Sequence, residues 1–400
     1  MRTRILYFII SVPLFCSHLW AQERETINFI YCSDVHYGLE REFRGSWTSA
    51  DSVCRAMIES FRILETTILP EDGGVDEGEI FGKPDFVICT GDIANRMEDG
   101  VQPASESWRQ FCKDWSSYCT TDPESYITLL KGEMNGPHCG IPLFLVPGNH
   151  DISNAIGYTK PMHPKTDPAS ASGIFNLMML LSQAHDDGDE IHDSLLKTGD
   201  KPNPDFRYAK DKTHYSFVLD SIRFVFMGMW PDSEMREWFA METAEDDGIP
   251  ALIFTHDPPE ADAKHFTNPW KGHGINGIDK FENLLSDTCS VRYIDRKPKR
   301  NWEVLEKFIY RHPEIKAYFH GDKNYNEFYS WTGVEGSINL PVFRVDSPMK
   351  GEYSSYDESL LSFIVVSIDP STGMLTAREC LWNKRKEAGL SWGETRTICL

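Results

Sequence analysis

The chain holds ten cysteines but no CxxC pair, so a thiolate zinc site is not expected. It has no internal repeat, no low-complexity tract and no clean linker, which argues for one domain rather than a string of modules. It has no basic stripe: 40 Lys and Arg face 61 Asp and Glu, for a formal charge of −21. Such a balance repels polyanions at long range, so nucleic acid and anionic lipid are not expected partners. A small phosphorylated substrate is still allowed, because bound cations would supply the local positive field.

What the chain has in quantity is length and aromatic mass. Its 400 residues suit one large α/β domain with insertions. Its 11 Trp, 15 Tyr and 23 Phe can build a substantial core. The first residues read as an export signal. Arg2 and Arg4 make a basic start, Ile5 to Phe15 is apolar but too short to span a bilayer, and Leu19-Trp20-Ala21 is an acceptable cleavage site. Residues 1–21 are therefore expected to be removed, leaving 22–400 as a periplasmic or extracellular chain with no transmembrane anchor. Without Arg2 and Arg4 the charge of −21 becomes −23. Without Cys16 an odd number of cysteines remains, so at least one thiol stays unpaired. Cys112, Cys119 and Cys139 lie close enough in sequence to pair among themselves, and Cys380 with Cys399 is another option in an oxidising compartment.

Apolar runs alternate with helical patterns along the chain. Thr26 to Cys32, Asp85 to Thr90, Ile141 to Val146, Ala251 to Phe254 and Ile315 to His320 read as strands. Ser49 to Leu69 has helical period, with Val53, Met57, Phe61 and Leu64 on one face, and Ser105 to Tyr118 and Glu303 to Arg311 are further helices. His214 to Leu219 and Ile222 to Met229 form a hairpin around Asp220-Ser221. The polar stretch from about 152 to 204, with a helix near Asn176 to Ala184, reads as an insertion over the site. The tail from about 340 to 400 reads as a β extension, and alternation from Leu360 to Ile368 and Met374 to Leu381 suggests a hairpin on a second sheet. Strand, helix, strand is the alternation of α/β proteins, which carry ligands at the carboxyl ends of strands.

Four short pieces sit at such ends: Asp34-Val35-His36, Gly91-Asp92, Gly148-Asn149-His150-Asp151 and Thr255-His256. Each offers oxygen or imidazole nitrogen, the ligands of small divalent cations. Asp34 and His36 are two apart, so a regular strand points both to one side. D-x-H and G-D are weak signals alone. G-N-H-D is stronger, arising by chance roughly once per thousand chains of this length. The order of the pieces, each after a strand, carries the rest.

On these residues the sequence resembles the calcineurin-like metallophosphoesterase family, whose ordered motifs are D-x-H, G-D, G-N-H-[DE], a single His and G-H-x-H. The resemblance spans Asp34 to Asn324. It implies an α/β fold in four αββα layers, a two-sheet β-sandwich flanked by helices. It implies two divalent ions: Asp34 and His36 on one, Asp92 bridging, Asn149 and His256 on the other. His150 would stand beside the leaving group without binding metal, oriented by Asp151. Two such ions about 3.5–4 Å apart activate water and clamp an in-line displacement at phosphorus. An imidazole can give the departing alkoxide its proton.

The chain departs from the family twice. Where the family has G-H-x-H it has Gly321-Asp322-Lys323-Asn324, with Asp322 and Asn324 in the His places. Both carry a ligating oxygen, so coordination can survive. Asp for His adds a negative charge, which favours Mn²⁺, Mg²⁺ or Ca²⁺ over Zn²⁺ or Fe. Three residues after the bridging Asp, purple acid phosphatases carry an iron-ligating Tyr; here Asn95 stands there, which suits redox-silent metals and leaves Asn95 to reach substrate or cap a helix. Softer substrate-binding candidates are His163 and His265, in loops, and Arg344, which can meet phosphate or pair with Asp346. Tyr325, Phe328, Tyr329 and Trp331 form either an aromatic wall or core. The expected function is exported, metal-dependent hydrolysis of a phosphoric mono- or diester, with the insertion setting access. The alternative is an eroded family member that only binds its ligand.

Overall fold

A computed structural model describes residues 26–95, 102, 104–121, 123–130, 140–152, 213–244, 248–268, 281, 284–289, 297–384 and 389–400. The expected signal peptide, His163, Cys139 and nearly all of the 152–204 insertion lie outside these residues.

Two large sheets pack face to face. The first holds, in order, Ser391–Cys399, Met374–Leu381, Ser362–Asp369, Ile27–Cys32, Phe86–Cys89, Ile141–Leu145 and Cys119–Thr120. The second holds Glu327–Trp331, Leu340–Arg344, Ile315–His320, Ala251–Phe254, Ile222–Met227 and His214–Leu219. The motif-bearing strands run parallel within each sheet. They are covered on both faces, which is why they read as unbroken apolar runs rather than alternations. Helices Ala50–Leu64 and Ala104–Trp115 pack on the outer face of the first sheet, with Val53, Met57, Phe61 and Leu64 buried as their spacing requires. Ser233–Glu242 and Lys299–Arg311 cover the second. The four-layer αββα sandwich is thus the fold. Among the described residues no helix is long and apolar enough to cross a membrane.

An aromatic ladder fills the space between the sheets. Phe226, Phe254, Phe319, Phe343 and Phe328 stand opposite one another on five neighbouring strands. Neighbouring rings stack at 5.2 Å (Phe226 and Phe254), 4.7 Å (Phe254 and Phe319) and 4.7 Å (Phe319 and Phe343). The ladder sets the height at which these strands end, because His256 follows Phe254 by two residues and Asp322 follows Phe319 by three. Phe328 and Trp331 belong to the core rather than to a substrate wall.

The C-terminal hairpin forms, Ser362–Asp369 against Met374–Leu381, but not on a second sheet. It lies antiparallel on Ile27–Cys32, in the sheet of the first motif. The reason is that Ser362–Asp369 is apolar on both sides. Phe363 and Val365 face the helices while Ile364, Val366 and Ile368 face the inter-sheet core. Ser391–Cys399 extends the hairpin as a further strand. In that register Cys380 lies near Trp392 and Cys399 opposite Met374, at the two ends of the pair. No Cys380–Cys399 disulfide forms, and Cys112 and Cys119 are free thiols as well.

Arg378 pins this hairpin to the acidic loop after the first helix. It is fully buried, and it donates to both Asp72 oxygens at 2.8 and 2.9 Å and to the Val75 carbonyl at 2.9 Å. Burial pushes the Asp72 carboxyl up, but the guanidinium outweighs it and the net shift is downward. A lowered carboxyl contributes stability that is present above the unfolded value and lost as pH falls through the folded one. Asp72→Asn is expected to cost roughly 3 kcal/mol at neutral pH. It should also flatten the loss of stability below about pH 4. Equal denaturant midpoints for both proteins at pH 7 would contradict this role.

Candidate active site

Each motif follows a strand at its carboxyl end, where the chain turns out of the sheet. The first two loops run side by side: Asp34 N–H donates to the Gly91 carbonyl at 2.9 Å and His36 N–H to the Asp92 carbonyl at 2.8 Å. Asp34, His36, Asp92, Asp322 and Asn324 all have left-handed backbone, with φ of 57°, 41°, 49°, 60° and 56°. Side chains tolerate that region poorly, at about 1–3 kcal/mol each. Such strain, gathered at one place, fixes side-chain direction at the expense of backbone ease. Two glycines make the close approach possible. A Cβ on Gly148 would lie 2.2 Å from Asp92 Oδ1, and one on Gly321 would lie 2.1 Å from Asp34 Oδ2.

The donors form two groups that share Asp92. His36 Nε2 is 3.7 Å from Asp34 Oδ1 and 3.6 Å from Asp92 Oδ2. His256 Nε2 is 3.0 Å from Asn149 Oδ1, 3.5 Å from Asp92 Oδ1 and 3.9 Å from Asp322 Oδ1. Asp92 therefore turns one oxygen to each group, the arrangement of a bridging carboxylate. His256 Nδ1 meets the Thr90 carbonyl at 2.8 Å. A carbonyl only accepts, so this nitrogen carries its hydrogen and Nε2 faces the oxygens.

The electrostatics call for cations. Burial drives the Asp92 carboxyl well above its ordinary range, and Asp34 and Asp151 add to the rise against His256. Burial disfavours the charged form of His256, yet Asp92, Asp34 and Asp322 raise it to about 10. Burial also raises Asp34, but His256 and His36 outweigh it and the net shift is downward. Among protein groups alone, one imidazolium thus serves several buried carboxylates. Asp34 Oδ1 and Asn324 Oδ1 are buried and accept no hydrogen bond from a described residue. Triads of His36, Asp92 and His150, of Asp34, Asp92 and His256, and of His256, Asp257 and Asp322 each bring their ligand atoms within 4.8 Å of one another. Oxygen with imidazole is the donor set of divalent metals, and the residues fit them.

The altered fifth motif is drawn into the cluster. Asp322 N–H donates to Asp34 Oδ2 at 3.1 Å. Its Oδ2 is 3.1 Å from Lys323 Nζ, which also lies 3.1 Å from Asp262. Burial raises the Asp322 carboxyl, but Lys323, His265 and His256 prevail and hold it far below the ordinary range. The negative charge that Asp adds over His is therefore offset next door. Asn324 donates its amide to the Asp322 carbonyl at 2.9 Å. His320 is core: its ring nitrogens meet the Gly321 carbonyl at 2.8 Å and the Tyr329 hydroxyl at 3.1 Å, and burial with Arg344 nearby pushes it down to about 3.

His150 stands at the rim of the cluster. Its Nε2 is 3.9 Å from Asp92 Oδ2 and 3.4 Å from Lys350 Nζ. Its ring packs edge-on to His36 at 5.0 Å between centroids and beside Phe281 at 5.2 Å. Asp151 does not orient it. The Asp151 carboxylate accepts from three backbone N–H groups: Gly148 at 3.0 Å, Ala94 at 3.0 Å and Ile93 at 3.3 Å. It stitches the second and third motif loops together instead.

Other sequence candidates move. His265 is not a surface histidine; it is buried, with Nδ1 2.8 Å from Asp257 Oδ2. Arg344 pairs with Glu327, the residue opposite it in the register, and lies 3.5 Å over the Tyr325 ring, so neither Asp346 nor the cluster takes it. Asn95 is fully buried in the loop after Asp92, and its side-chain amide has no hydrogen-bond partner among the described residues. Lys350, in the polar run that follows Arg344, reaches the His150 ring from 200 residues away, a contact the sequence does not show.

Parallel strands that deliver His, Asp and Asn to one end of an αββα sandwich define a metallohydrolase. The calcineurin-like phosphoesterase family matches residues 27–328, and the chain belongs to it. Among curated proteins no significant match is found. Among solved structures the chain is similar to PhoD, at 9% identity and a TM-score of 0.50, over 95% of this chain and 70% of that one. Vps29 of Chaetomium thermophilum is also similar, at 7% identity and a TM-score of 0.30, over 93% of this chain and 97% of that one. At such identity the likeness to PhoD is one of fold.

Proposed function

We propose that this metal-dependent phosphoesterase is exported and works on a small phosphate ester through a dinuclear centre. The observation that carries the reading is Asp92, whose two oxygens face His36 and His256 respectively. Asp34, His36 and Asp92 would hold one ion; Asp92, Asn149, His256 and Asp322 would hold the other, with Asn324 in reach of the same loop. Bound there, the ions supply the Lewis acidity that activates water and neutralises charge at phosphorus. The chain's own residues do the rest. His150 would pass a proton to the leaving oxygen. Asp151 keeps the second and third motif loops in step through their backbone amides. Thr90 fixes the His256 tautomer.

The oxygen-rich ligand set supports Mn²⁺, Mg²⁺ or Ca²⁺ as the working ions. Lys323 removes part of that preference by offsetting Asp322, so the lead over Zn²⁺ is smaller than the exchange of His for Asp alone would give. The retained contact of Asp322 with His256 also supports an active centre over an eroded, ligand-binding one. Hydrolysis of p-nitrophenyl phosphate and of bis-p-nitrophenyl phosphate, with protein stripped by chelator and refilled with each ion, tests the reading. Metal-dependent turnover of at least one ester is expected. No turnover with any ion would favour the binding protein.

A further inference from the structure

A sixth strand end also reaches the site. Leu340–Arg344 runs parallel to Ile315–His320, and the chain after it carries Asp346, Ser347 and Lys350. That segment is fastened on three sides. Ser347 Oγ donates to the Asp34 carbonyl at 2.7 Å and accepts from Lys350 N–H at 2.9 Å. Buried Arg41 donates to the Pro348 carbonyl at 2.7 Å and to that of Ser354. Glu352 N–H donates to the Asn324 carbonyl at 2.6 Å. One loop thus touches the first motif and the fifth, and it brings the Lys350 ammonium to 3.4 Å from His150 Nε2.

Lys350 thereby sets an ammonium at the rim of the donor cluster, within hydrogen-bond reach of the His150 ring. Lys350 also lies on the wall of a shallow, open surface depression with Glu352, Tyr353, Ser355 and Tyr356.

We propose that Lys350 is a substrate-contacting, specificity-determining residue that binds a non-bridging oxyanion of the phosphoryl group and so favours dianionic monoesters over diesters. The proposal rests on the phosphoesterase reading above. Its chemical basis is simple. A monoester dianion shares two charges among three non-bridging oxygens, whereas a diester shares one charge between two and replaces the third with an uncharged alkoxy group. The chain's overall charge of −21 makes a local cation the more necessary for a dianion.

The test compares Lys350→Met and Lys350→Arg with the parent protein, all loaded with Mn²⁺. Lys350→Met is expected to lower kcat/KM for p-nitrophenyl phosphate about ten- to a hundredfold, as for a lost charge-assisted hydrogen bond. The loss on bis-p-nitrophenyl phosphate should be much smaller, and Lys350→Arg should keep most of the monoester activity. Equal losses on both esters, or none, would overturn the proposal. If the parent protein turns over neither ester, the functional reading fails by itself. Lys350 is then judged by calorimetric binding of inorganic phosphate to the Mn²⁺-loaded proteins: weakening of tenfold or more in Lys350→Met supports it, and unchanged affinity overturns it.

Discussion

Replacing His150 with alanine is expected to lower kcat for phosphate esters by about 10²–10⁴-fold while the metal content stays as it was. The reason lies in how the ring is held. The His150 backbone N–H donates to Asp92 Oδ1 at 2.9 Å, and that bond survives the substitution. The imidazole itself is packed against His36 and Phe281, and its Nε2 stays 3.9 Å from the shared carboxylate. His150 lies as near to Asp92 as the other donors lie to one another, so proton transfer and coordination are separated by whether the metal stays when the ring is removed. The loss should grow as the leaving alcohol becomes more basic, since a poor leaving group depends most on a proton donor. Elemental analysis beside the kinetics separates the two roles. Metal lost together with activity would place His150 among the ligands.

Asp92→Asn is expected to do the reverse to stability and metal. Asp92, Asp34 and Asp151 are buried close together, and burial already drives the Asp92 carboxyl up. A carboxyl raised by folding costs stability at neutral pH, and an amide of the same shape removes that cost, so the metal-stripped protein should melt higher than its parent. The same change removes the oxygen charge shared by both donor groups. Mn²⁺ should therefore no longer raise the melting temperature, whereas in the parent each filled site contributes about 2.7 kcal/mol at a hundredfold excess over Kd. Turnover should vanish. A stripped variant less stable than the stripped parent, or an undiminished Mn²⁺ response, would show that Asp92 is structural. The combination is a trade of stability for function, of a kind expected where a site concentrates like charge.

Much of the fold and the site was legible because the chemistry lies in short contiguous pieces after apolar runs. Asp34 and His36, Asp92, Asn149 and His150, and His256 each follow a strand buried on both faces, and such strands announce themselves by composition. What was not legible depends on partners far away in sequence. Whether Asp151 turns to the adjacent ring or to the amides of Ile93 and Ala94 is decided by a loop nearly sixty residues earlier. Arg344 is claimed by Glu327 through the register of an antiparallel edge. The C-terminal hairpin joins the first sheet because both of its faces are apolar, a pattern that tells of burial but not of the neighbour. Lys350 owes its position to Ser347, bonded to Asp34 across 313 residues. The left-handed backbone at Asp34, His36, Asp92, Asp322 and Asn324 falls on the non-glycine types that most often adopt it, but residue type does not say which copies do.

Anomalous scattering at the manganese edge, from crystals of stripped protein soaked in Mn²⁺, reaches the centre of the matter. Two peaks are expected, one beside Asp34 and His36, the other beside Asn149, His256 and Asp322, with Asp92 between them. A single peak, or two that share no carboxylate, would contradict the dinuclear centre.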